Sequence, residues 1–105
     1  MKVLIMTDLE GISGVDTMEK VSEVGTPGHK FALERLMLDV NAAVEGAFEG
    51  GATAVYVKDG HGGGNNFLKE MLDLRAIQVQ DSVSWQELVR NGEIDAYMEV
   101  GAHAM

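Results

Sequence analysis

One stretch constrains this chain more than any other. From Thr26-Pro27 to Gly50-Gly51, Phe31, Leu33, Leu36, Met37, Val40, Val44, Ala47 and Phe48 recur at helical spacing. Threonine can cap the free N–H groups at the start, proline suits the first helical position, and paired glycines close the far end. Short apolar runs of strand length flank this long amphipathic helix: Val3 to Met6 before it and Thr53 to Lys58 after it. Val3 to Met6 is continuous rather than alternating, as expected of a strand covered on both faces. Strand, long helix, strand implies a parallel pair with a right-handed crossover.

Further along, "FLKEMLD" predicts a short second helix, with Asn65 or Asn66 as its cap. "RAIQVQD" (75–81) predicts a third strand, and Ser84 can cap a third helix that runs through Val89. A fourth strand is expected near Ala96 to Val100, and a short helical turn around Glu19 to Val24. The fold class is therefore α/β: a mainly parallel open sheet of about four strands with crossover helices. At 105 residues, 46% hydrophobic and 24% charged, the chain suits one globular domain (1–105) or part of a larger one. Its last residues stop just where a strand-end loop should turn into the next helix.

The charge balance narrows the partners. A net charge of −9 argues against a nucleic-acid backbone, which needs clustered Lys and Arg. The absence of cysteine removes disulfides and thiolate metal sites. No stretch approaches a membrane span, and the apolar run at the start is too short for a signal peptide. A cytoplasmic protein with no membrane partner is expected.

In open parallel sheets, ligands collect at the carboxyl ends of the strands. Strand one ends in "TDLEGISG", strand two in "KDGHGGGNN" and strand four in "GAHAM", which brings Asp8, Glu10, Asp59, His61 and His103 to one edge. Two carboxylates two residues apart repel each other in a shielded site, and a divalent cation removes that cost. Asp8, Glu10, His61 and His103 form a ligand mix suited to Zn²⁺, with Mn²⁺ or Fe²⁺ as alternatives. Asp59 reads either as an acid that orients a histidine or as a solvated side chain. Asn65 and Asn66 read as helix caps or as amides for a substrate, and His29, in the first helical turn, as a surface residue. "HGGG" matches an esterase oxyanion motif, but "GISGV" is one residue short of the nucleophile elbow, so Ser13 is a poor nucleophile. No phosphate-binding or dinucleotide glycine pattern is complete.

These three segments, in this order and spacing from residue 3 to 105, resemble the D-aminopeptidase family of dipeptide-transport operons. The resemblance implies a zinc aminopeptidase that releases N-terminal D-amino acids such as D-alanine from short peptides. It further implies two zinc ions bridged by Asp8, with Glu10, His61 and His103 as further ligands, and a homo-oligomeric ring, typically a decamer. Family members are well over twice this length, and their last ligand glutamate and catalytic histidine lie beyond the position of Met105. A partial site with little activity of its own is the corresponding expectation. A non-catalytic metal- or protein-binding α/β module, and a metal-dependent hydrolase of another small substrate, are the alternatives.

Overall fold

A computed structural model describes residues 1–9, 11–12, 24–61, 66–80 and 82–101. Its elements are β1 (Lys2–Thr7), α1 (Pro27–Glu49), β2 (Ala54–Asp59), β3 (Ala76–Gln78), α2 (Ser82–Arg90) and β4 (Ala96–Val100). The strands form one all-parallel sheet in the order β3-β2-β1-β4. β1 is thus flanked on both sides, as its unbroken apolar run requires. The chain moves outward twice from β1 and then returns to its other side. That reversal is the topological switch point beside which α/β sheets bind ligands.

Alternate residues of β1 serve different layers. Val3 and Ile5, level with Val55 and Val57 of β2, join the core against Leu36, Val40 and Val44 of α1. Leu4 and Met6 turn the other way and line an apolar groove of about 400 Å³ with Trp85 and Val89 of α2. Each fully buried aliphatic side chain in such a core contributes roughly 1.5–3 kcal/mol. Both ends of α1 follow local chemistry. The Thr26 hydroxyl accepts from the His29 N–H at 3.2 Å. At the other end, Gly51 takes φ +103° while its N–H reaches the Phe48 carbonyl, and the Ala52 N–H reaches that of Ala47. This paired closure needs a residue at ease with positive φ. No described helix is long and apolar enough to cross a membrane.

Four expectations need correction. Residues 67–73 form turns, not a helix, with Met71 N–H bonded to Leu68 and Leu72 N–H to Lys69. Seven residues are too few to nucleate a helix readily, and Asn41 of α1 holds the segment from outside: its amide donates to the Met71 carbonyl at 2.7 Å and accepts from the Asp73 N–H at 2.9 Å. The third strand is three residues long rather than seven, because its ladder with β2 stops at Gln78 and the Gln80 side chain, not its main chain, bonds Asp59 at the next level. Since α2 begins at Ser82, Ser84 lies inside the helix and cannot be its N-cap. His29 is buried, 7% exposed, in a recess it lines with Pro27 and Leu33. The expected turn near Glu19 lies outside the described residues. At the surface, Arg75 ties Asp73 and Glu45 together over the Phe48 ring, and its hydrogen bonds hold the Asp73 carboxyl down at about 2.

Leu36→Ala is expected to cost about 2–5 kcal/mol in urea unfolding, the range for emptying a packed core position. Leu38→Ala, at a half-exposed position on the same helix, should stay within about 0.5 kcal/mol of the parent.

Candidate metal centre

The sheet register brings three strand ends level. Thr7 lies opposite Asp59 of β2 and opposite Val100 of β4. Beyond that level the loops are still bonded to one another. Asp8 N–H donates to the Val100 carbonyl at 2.9 Å, Gly11 N–H to that of Gly101 at 2.8 Å, and Gly60 N–H to that of Thr7 at 2.9 Å. Two glycines permit this close approach. A side-chain carbon on Gly60 would lie 2.6 Å from the Thr7 carbonyl oxygen. One on Gly101 would collide with the Asp8 carbonyl and with Ile12 Cδ1, at a residue whose φ is +76°.

Asp8 and His61 meet above this edge. His61 Nδ1 lies 2.8 Å from Asp8 Oδ1, and the Leu9 N–H donates to the same oxygen at 2.8 Å. Their side chains are 24% and 19% exposed, so the pair is partly shielded from solvent. Leu9 and Ile12, next along the chain from Asp8, are buried in the core. A carboxylate oxygen facing an imidazole nitrogen is the donor chemistry that zinc and similar borderline cations take. The described residues at this edge therefore fit a metal ion, for which they would offer two donors. Among the described residues no group of three or more His, Cys, Asp or Glu comes together to hold one. Glu10, His103 and Asn65 lie outside the described residues.

Asp59 is not a solvated side chain. It is 1% exposed, and both oxygens are engaged. Oδ2 accepts from the Asn66 N–H at 2.6 Å, while Oδ1 accepts from Asn66 Nδ2 at 3.0 Å and from the His61 N–H at 3.4 Å. Asp59 thus contacts the main chain of His61, not its ring. Asn66, also buried, starts no helix; its amide donates as well to the His61 carbonyl at 2.8 Å. Sequence reasoning overlooked Gly60 and Gly101, although a glycine directly after a strand is the signal of close backbone approach. It overlooked Gln80 too, for which a polar residue after a strand offers no distinguishing sign.

A family model described as D-aminopeptidase, peptidase M55, matches residues 1–105. The chain belongs to the M55 D-aminopeptidase family. Among solved structures it is similar to the zinc-dependent D-aminopeptidase DppA from Bacillus subtilis, described as a self-compartmentalizing protease. The TM-score is 0.85 at 27% identity, over 100% of this chain and 39% of DppA. No curated protein sequence matches the chain. The four parallel strands with their helices are thus the M55 fold over the matched region, and the M55 chain described here spans well under half of DppA.

Gly101→Ala should lose more stability than Gly92→Ala in denaturant melts. At Gly92, φ +70° with open space around it, the substitution incurs only the left-handed backbone cost of about 1–2 kcal/mol. At Gly101 the collision with Asp8 and Ile12 adds to that cost, so equal losses would show that the loops do not approach so closely.

Proposed function

We propose that this chain carries the metal-binding part of a zinc-dependent aminopeptidase that removes D-amino acids such as D-alanine from the N-terminus of short peptides. The Asp8–His61 pair at the carboxyl edge is the observation that supports this reading most directly. Asp8 and His61 would hold the metal together with Glu10 and His103. Zinc, when bound, supplies the Lewis-acid chemistry of peptide hydrolysis.

The chain's own residues prepare that site. The Leu9 N–H and the His61 ring converge on Asp8 Oδ1 and hold the carboxylate in one orientation. Leu9, directly after Asp8, is fully buried in the core and anchors the main chain that carries the carboxylate. Beside the end of β3, a cavity of about 520 Å³ lined by Phe67, Leu68, Lys69, Glu70, Gln78 and Gln80 offers mixed polar and apolar walls. We assign it to the body of a short peptide. Because DppA is self-compartmentalizing, a homo-oligomeric ring is the assembly proposed for the whole protein.

Zinc titration of the purified chain tests the metal assignment. About one or two ions per chain are expected, with affinity at least ~10-fold weaker in Asp8→Asn and in His61→Ala. Parent-like zinc binding in both variants would sink it. Substrate class is tested separately by binding: D-alanyl dipeptides should bind the zinc-loaded chain in preference to L-alanyl ones, with little turnover by this chain alone; the opposite preference overturns the D-specific reading.

A further inference from the structure

The β2–β3 ladder ends at Val57 and Gln78, with one more main-chain bond from the Val79 N–H to the Val57 carbonyl at 2.9 Å. At the next level a side chain replaces the strand. Gln80 Nε2 donates to the Asp59 carbonyl at 3.1 Å, and Gln80 Oε1 accepts from the Asp59 N–H at 3.4 Å. One amide thereby reproduces both halves of a backbone rung. Its orientation is fixed in turn by Gln78 Nε2, which donates to Gln80 Oε1 at 3.1 Å. The Lys58 ammonium bonds the Gln80 carbonyl at 2.9 Å and anchors that residue's main chain.

The carboxylate of Asp59 is held by Asn66. Its N–H and amide take both oxygens of Asp59, and the same amide takes the His61 carbonyl. The main chain of Asp59 is therefore held by Gln80 and its carboxylate by Asn66. The main chain of His61 is held at its N–H by Asp59 and at its carbonyl by Asn66. A buried carboxylate is costly unless every lone pair is satisfied, and a fully satisfied network of this kind is rigid. Little freedom remains for the Cα of His61, from which the ring reaches Asp8 at 2.8 Å.

We propose that Asn66 and Gln80 are positioning residues for His61, closing a two-sided clamp on Asp59 that aims the imidazole at Asp8. This rests on the reading of Asp8 and His61 as metal ligands. Partners that hold a ligand in place typically govern metal affinity by about 10–100-fold.

The test compares Asn66→Ala and Gln80→Met with Asn41→Ala. Gln80→Met keeps the side chain's length and removes its hydrogen bonds, so it is the milder variant for folding. Asn41→Ala removes a similar pair of side-chain-to-backbone bonds far from the strand ends. Zinc affinity, measured by chelator competition on folded protein, should weaken ~10-fold or more in Asn66→Ala and Gln80→Met but hold in Asn41→Ala. A merely structural role predicts no such split. The second readout needs no metal: the His61 ring proton facing Asp8 should exchange slowly in the parent and faster in the two clamp variants, followed by NMR. Zinc that fails to bind the parent would defeat the metal reading, and ring-proton exchange would still decide the clamp. Parent-like ring-proton exchange in both clamp variants overturns the proposal, and so does zinc affinity that holds in both.

Discussion

Everything at the carboxyl edge depends on β1 having a parallel partner on each side. Because Thr7 is level with both Asp59 and Val100, three chain segments leave the sheet at one height and within hydrogen-bonding reach. Parallel neighbours lie about 4.8 Å apart, so the loops that follow start close enough for Asp8, Gly11 and Gly60 to bond the adjoining segments. A one-residue slip in either pairing would turn Thr7 and its neighbours to the other face and separate Asp8 from His61. Apolar packing of Val3, Ile5, Val55 and Val57 against α1 is what penalises such a slip. The core and the site are thus set by the same register.

The edge also shows how a sheet can continue without a strand. β3 is short, yet Gln80 supplies with its side chain the donor and acceptor that another residue of strand would have supplied with its backbone. Asp59 is consequently bonded through main chain and side chain alike, and its burial is tolerated because N–H donors engage both carboxylate oxygens. Acid and amide together support the main chain that carries one imidazole.

Much of this was legible in the residues. α1 is found where its helical period, Thr26 cap and glycine stop located it, and β4 where its apolar run did. The strand ends that carry Asp8 and His61 followed from β-α-β alternation alone. The misreadings concern short or lone residues. "FLKEMLD" has helical periodicity, but its apolar side chains are used to cover the core while Asn41 captures its backbone. His29 is polar and near a helix start, which suggests the surface; the recess it shares with Pro27 and Leu33 encloses it instead.

The sequence by itself determined the class of fold, the order of its elements and the edge where chemistry would gather, since these follow from periodicity, caps and the rule that parallel strands end together. Tertiary structure alone decided which of those polar residues touch. Asp8 and His61 are 53 residues apart in the chain and Asp59 and Gln80 are 21 apart, and no local pattern encodes either meeting. Both come from the register of the sheet and from the close backbone contacts that Gly60 and Gly101 allow, and these exist only once β1 has both of its neighbours.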